Sequence, residues 1–195
     1  MATASSSRLP GVKQTDLDDE GRALWDRITA TRGAAVQGPD GSLIGPFNAF
    51  VTAPGVGSRL AELGGVLRFE TSVDRRLTEV AIITTGARWK AEFEWWAHAR
   101  MAREHGVSKA VVEAIAQGDA SPPFEQDDER IVHAVATQLG ATGRVDDATY
   151  GAARDLLGDR ALVELVSLCG YYTLISFVLN AFEVTLPEGV SPRWG

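Results

Sequence analysis

The chain has 195 residues, of which 45% are hydrophobic and 23% charged; this suits one substantial packed domain and excludes a mostly disordered chain. A formal net charge of -7 and a pI near 5.0 leave no basic field to draw in a phosphate backbone, so nucleic acid is not an expected partner. The single cysteine, Cys169, excludes an intrachain disulfide, a two-thiol redox pair and a thiolate metal cluster, and it fits a reducing cytoplasm.

Met1 to Ser7 are small and polar and lack the basic start and apolar run of a secretory signal, so residues 1–14 are expected to form a tail. Thr15 or Asp16 is placed to cap a first helix whose apolar positions are Leu17, Leu24, Trp25 and Ile28, with Gly33 as its stop. Residues 33–45 carry Gly38, Pro39, Asp40 and Gly41, a turn-forming cluster that predicts a surface loop. Residues 47–69 read as two helical pieces broken at Thr52 and Ala53, because Pro54 disfavours a helical residue before it and suits a first turn. Val56, Leu60, Leu63 and Leu67 form the expected buried stripe of the second piece. Ser72 is the expected cap of the next helix, where Leu77, Val80, Ala81 and Thr84 form a stripe that Ile82 and Ile83 widen. Such a helix is covered on both faces and therefore central, and Glu79 lies in it.

A helix over 91–105 ends at Gly106, and Ser108 then caps a short helix that Gly118 closes. Further helices are expected from Asp127 to Leu139, from Asp146 or Asp147 to Gly158, and from about Arg160 to Val184. In the last of these, Leu165 to Phe182 contains no charged residue and meets the length of a membrane span. Ser167, Gly170, Tyr171, Tyr172, Thr173, Ser176 and Asn180 inside it, acidic shoulders at Glu164 and Glu183, and no basic flank favour a buried helix at a bundle or subunit interface. No segment alternates as a strand does. The expectation is an all-α bundle in a single domain over residues 15–187, with residues 188–195 as a C-terminal tail.

The chemistry-bearing candidates centre on His98. Glu94 lies one helical turn before it on the same face, where a carboxylate can fix the imidazole tautomer and tune it for proton transfer. Taken alone, this spacing also describes an ordinary solvated pair. Phe93, Trp95 and Trp96 beside the pair argue for an enclosed setting, and Glu79, set between apolar neighbours, must reach solvent or a partner such as His98. One imidazole and two carboxylates could also suit iron or manganese, although such sites usually take a further histidine. Cys169 reads as a small buried hydrophobe, His105 as a complement to a helix C-terminus, and His133 as a packed residue.

Leu77-Thr78-Glu79-Val80-Ala81-Ile82, followed by Ala91-Glu92-Phe93-Glu94-Trp95-Trp96-Ala97-His98, resembles the signature region of the carboxymuconolactone decarboxylase superfamily, which includes alkyl hydroperoxidase D. The Gly106-Val107-Ser108 turn, Gly170-Tyr171-Tyr172-Thr173 and Asn180-Ala181-Phe182-Glu183 extend the likeness over residues 47–187. In the peroxidase branch a Cys-x-x-Cys-x-x-x-His element follows the helix glutamate; here Ala91 and Glu94 stand at the cysteine positions, so the resemblance implies no thiol peroxidase. It is closer to the decarboxylase-type branch, with its Glu-Tyr-Glu-Trp-x-x-His run.

That resemblance implies an alkyl hydroperoxidase D-like helical bundle, cytoplasmic and homo-oligomeric (trimer or hexamer), with a small-molecule substrate and no membrane association. The implied activity is a carboxy-lyase or isomerase reaction on a small unsaturated lactone or carbonyl acid, without cofactor or metal. Glu79, Glu94 and His98 would form the catalytic relay, with Trp95, Trp96, Arg88, Arg100 and Asn180 lining the substrate; Arg68 and Arg75 are further candidates to hold a substrate carboxylate. The alternatives are a non-catalytic small-molecule-binding protein on the same scaffold and a metal-dependent variant.

Overall fold

The computed structural model describes residues 7–195; Met1–Ser6 of the expected tail lie outside the described residues. Eight α-helices make up the described chain: α1 (Asp19–Arg32), α2 (Phe47–Thr52), α3 (Pro54–Phe69), α4 (Arg75–Arg88), α5 (Glu92–Glu104), α6 (Lys109–Gln117), α7 (Asp127–Thr142) and α8 (Asp147–Ala181). Among the described residues the only extended pairing is an isolated bridge between Gln37 and Leu43, across the expected 33–45 loop. The described residues divide into two compact units, one made of residues 7–66 and 178–193 with Gly195, the other of residues 67–177 with Trp194.

In the first unit, α1 begins later than its sequence suggests. A 3-10 turn occupies Gln14–Asp16, and the cap is Asp18, whose carboxylate accepts from the Gly21 N–H at 2.8 Å. Leu24, Trp25 and Ile28 are buried as expected, and Gly33 ends the helix at φ 72°. Residues ahead of the turn are tied down: Ser7 Oγ donates to the Phe182 carbonyl (3.0 Å) and Val12 N–H to Asn48 Oδ1 (2.9 Å). The α2/α3 break falls at Ala53. Gly57 is required just beyond it, since a Cβ there would lie 2.2 Å from the Phe50 carbonyl oxygen. On α3 the expected buried stripe is wrong. Leu67 is buried, whereas Val56, Leu63 and Val66 are exposed, because helical spacing marks an apolar face without saying whether a neighbour covers it.

The second unit is built around α4. Every residue from Leu77 to Gly86 is buried, so this helix is central, as its two-sided apolar pattern predicts. Its cap is Asp74 rather than Ser72; Ser72 instead donates its N–H and hydroxyl to Glu164. Arg76 clamps α4 to α7 by a two-pronged contact with Asp128 (2.6 and 3.2 Å) and a second with Glu129 (2.7 Å). A tight turn through Lys90, at φ 48°, sends the chain back as α5, with the Ala91 N–H bonded to the Gly86 carbonyl. Ser108 caps α6 and Gly118 closes it, both as expected. The long α8 breaks at Gly158, whose φ of 75° and ψ of 166° are non-helical, so the two expected helices meet there. By length and composition α8 could cross a membrane. Yet Leu165, Leu168, Tyr172 and Ile175 form a buried stripe along it, the pattern of a core helix with one covered face.

Candidate active site

Glu79 projects from the central α4, while Glu94 and His98 project from α5 one helical turn apart, so the α4/α5 hairpin presents all three to the same interior point. They meet. His98 Nδ1 lies 2.7 Å from Glu79 Oε2, and His98 Nε2 lies 3.0 Å from Glu94 Oε1. A fourth group arrives from α8: the Tyr172 hydroxyl is 3.4 Å from Nε2, with its ring edge-on to the imidazole at 5.2 Å. Glu79 is 0% exposed, Tyr172 3%, Glu94 4% and His98 5%, so the solvated-pair reading of Glu94 and His98 does not describe this cluster.

The two carboxylates are pushed in opposite directions. For Glu79, burial disfavours the charge, but the His98 hydrogen bond, the His98 charge and the nearby Arg68 and Arg75 guanidinium groups outweigh it, and its carboxyl is held below the usual range. For Glu94 burial dominates: it raises the pKa, and the charges of His98 and Arg68 offset this only in part. An ionised Glu79 is acceptor-only, so His98 Nδ1 must carry a hydrogen and donate it. In the neutral ring that leaves Nε2 as a lone pair facing Glu94. As a bare carboxylate, Glu94 Oε1 has no hydrogen-bond partner despite its 3.0 Å approach. A proton shared between Glu94 Oε1 and His98 Nε2 removes that conflict and agrees with the upward push on Glu94. The arrangement can therefore pass a proton between Glu94 and an imidazole braced by an anion.

Because the imidazole sits between the carboxylates, its two nitrogens point at different oxygens and the three donors do not close around one point. Among the described residues no three His, Cys, Asp or Glu side chains are arranged to hold a metal ion.

The expected substrate-lining residues fare differently. Trp95 is buried with its ring against Trp194 (5.4 Å), and Trp96, 38% exposed, lies against Phe93 (5.2 Å); the ring against His98 belongs to Tyr172. Arg88 is exposed, donates to the Gly140 carbonyl and stacks on Trp89, and Arg100 is exposed beside Glu104, so neither is held at His98. Asn180 is exposed near the end of α8. The arginines that act on the site are Arg75, 3.5 Å from Glu79 Oε1, and Arg68, whose charge reaches Glu79, Glu94 and Tyr172. Cys169 is buried, and its thiol is pushed up to about 12 by burial, as befits a packing residue.

No protein-family model matches the sequence, and no curated protein matches it significantly. Solved structures do match. An uncharacterized peroxidase-related protein from Ralstonia eutropha JMP134, described as an alkylhydroperoxidase AhpD core, superposes with a TM-score of 0.74 at 14% identity, covering 96% of this chain and 95% of that one. A second, from Silicibacter sp. TM1040, gives 0.74 at 13% identity over 97% and 95%. This chain has the AhpD-like fold. A cysteine-to-alanine form of the debrominase Bmp8, in complex with 2,3,4-tribromopyrrole, shares that fold at a TM-score of 0.72, with 11% identity over 95% of each chain. In this AhpD-like chain the helix hairpin carries Ala91 and Glu94 flanking a Glu-Phe pair, and the chain's one thiol, Cys169, lies on α8.

Proposed function

We propose that this AhpD-like protein is a thiol-independent, cofactor-free enzyme that decarboxylates or isomerises a small unsaturated lactone or carbonyl acid by proton transfer. The observation behind this reading is the buried convergence of Glu79, His98, Glu94 and Tyr172, a proton-transfer group with no thiolate in it. The debrominase of the same fold holds a small flat ring, which supports a substrate of that size here.

In the decarboxylation, the bond between the ring carbon and the departing carboxylate breaks and carbon dioxide leaves. The electron pair passes into the conjugated carbonyl, giving a dienolate. His98, protonated at Nε2 with the proton it shares with Glu94 and steadied by ionised Glu79, delivers that proton to carbon, and solvent restores it. Tyr172, whose phenol is held neutral by burial, donates to the developing oxyanion. Removing substrate and its charge from water favours loss of the carboxylate.

A homo-oligomer belongs to the same proposal. Val163, Val166, Leu174 and Phe177 lie exposed along α8, an apolar strip suited to a second copy of the chain.

The test is ultraviolet-monitored decay of 4-carboxymuconolactone with the wild type and His98→Gln. A loss of about 100-fold or more in kcat is expected; equal turnover by the variant would remove the relay.

A further inference from the structure

Arg68, at the end of α3, has an unusual position for a cation. Its Nε is fully buried and has no hydrogen-bond partner. The remaining polar contact of its guanidinium is a donation to the thioether sulfur of Met101 at 3.4 Å, a weak acceptor. Its neighbour Arg75 is provided for: it donates to the Arg68 carbonyl and lies 3.5 Å from Glu79 Oε1. Glu94 faces His98. Among the described residues no carboxylate lies within ion-pair distance of Arg68, although its charge is felt by Glu79, Glu94 and Tyr172. Arg68 and Arg75 both stack on Phe69, at 4.9 and 5.1 Å from the ring, so the guanidinium is held in place rather than free to swing into water.

We propose that Arg68 is the anion anchor of this site and that its ligand is a small carboxylate, which takes the unpartnered Nε–H. The inference rests on reading Glu79, Glu94 and His98 as a reaction centre. A guanidinium with a buried, unbonded N–H is costly unless an anion meets it when the protein works. A water molecule could accept the hydrogen bond but brings no charge, whereas a carboxylate supplies both. The position also suits the chemistry, because the Arg68 charge acts on both Glu79 and Glu94 of the site.

The experiment is calorimetric titration of the full chain with 2-furoate and with its neutral isostere furan-2-carboxamide, neither of which can be turned over by the proposed reaction. Wild type is expected to bind furoate at least about 10-fold more tightly than the amide, and Arg68→Met to lose about 10- to 100-fold for furoate while binding the amide unchanged. Arg68→Lys, which keeps the charge without the planar fork, should recover part of the loss and shows that the Met result is not misfolding. Equal binding of the two compounds by wild type, no heat from furoate at millimolar concentration, or unchanged furoate binding by Arg68→Met overturns the anchor. Unchanged furoate binding in Arg68→Met together with lost turnover in His98→Gln removes the anchor and leaves the relay; the opposite pattern keeps the anchor and removes the relay.

Discussion

Tyr172 and His98, 74 residues apart in sequence, meet edge to face inside the second unit, the phenol oxygen 3.4 Å from the imidazole Nε2. The ring provides packing and the hydroxyl provides a donor, and Tyr172→Phe separates the two. Turnover should fall about 10-fold with the hydroxyl gone, while thermal stability changes by no more than about 1 kcal/mol, since a single long hydrogen bond is lost and the packing kept. Unchanged kcat would show that the phenol only fills space.

Glu79→Gln and Glu94→Gln are predicted to change the pH dependence of stability with opposite signs. Glu79 has a lowered folded pKa, so its stabilising contribution is present above the ordinary carboxyl value of 4.5 and disappears as pH falls through the folded value. Glu94 has a raised folded pKa; its contribution is complete below 4.5 and is lost as pH rises through the folded value. Glu79→Gln should therefore lower stability at neutral pH, with the deficit closing in acid. Glu94→Gln mimics the protonated acid and should become more stable than wild type as pH rises. Denaturant titrations from pH 4 to pH 9 give the sign of each difference, and parallel curves would contradict the assignment of ionised Glu79 and protonated Glu94.

How much of this site could be read from the sequence depends on the separation of its parts. The i, i+4 spacing of Glu94 and His98, and a lone carboxylate on a helix apolar all round, were sufficient to bring Glu79, Glu94 and His98 together, because helical period and hairpin connection dictate that meeting. The Ser108 cap and the Gly158 break were legible for the same local reason. Tyr172 was not singled out, and Arg68 stood among four candidate arginines with nothing to prefer it, since both come from helices distant in the chain and no period encodes which residue of α3 or α8 faces α5. Arg88 and Arg100 were favoured by nearness in sequence, yet each emerges on a helix side that points to solvent. Val56 and Leu63 failed likewise: an apolar stripe predicts a covered face only where a neighbour exists.

A thiol reagent distinguishes this reading from cysteine chemistry. Cys169 is buried, with its pKa pushed up to about 12, so almost no thiolate is present at neutral pH. Iodoacetamide should leave the native protein unlabelled by mass spectrometry and its turnover intact, and Cys169→Ala should retain full kcat. Inactivation that tracks labelling of Cys169 would bring the thiol back into the mechanism.

His133 is expected to weaken the second unit in acid. It is 8% exposed, lies against Phe124 at 5.2 Å, and burial lowers its pKa from 6.5 to about 4. The unfolded chain therefore binds a proton near pH 6.5 that the folded chain refuses until about pH 4. Stability from this residue is complete above 6.5 and falls as pH drops through that window, by up to about 3 kcal/mol. His133→Leu, which cannot be protonated, should cost some packing near pH 7.5 but lose less stability than wild type between pH 6.5 and 4. The two melting-temperature curves should converge or cross in acid; a constant gap across the range would mean that His133 takes up its proton as readily folded as unfolded.

The exposed strip on α8 predicts assembly. Val163 and Leu174 are eleven positions apart, three helical turns, and so share a face; they are 66% and 39% exposed. A charge at each would have to be desolvated within an apolar contact, at a cost of several kcal/mol per buried ion, whereas on a free surface it would cost almost nothing. Val163→Glu combined with Leu174→Glu should therefore leave the helical content and the monomer's fold intact while shifting the light-scattering mass from oligomer to single chain. A wild type that runs as a monomer at high concentration, or a double variant of unchanged mass, would mean that this face is not where copies of the chain meet.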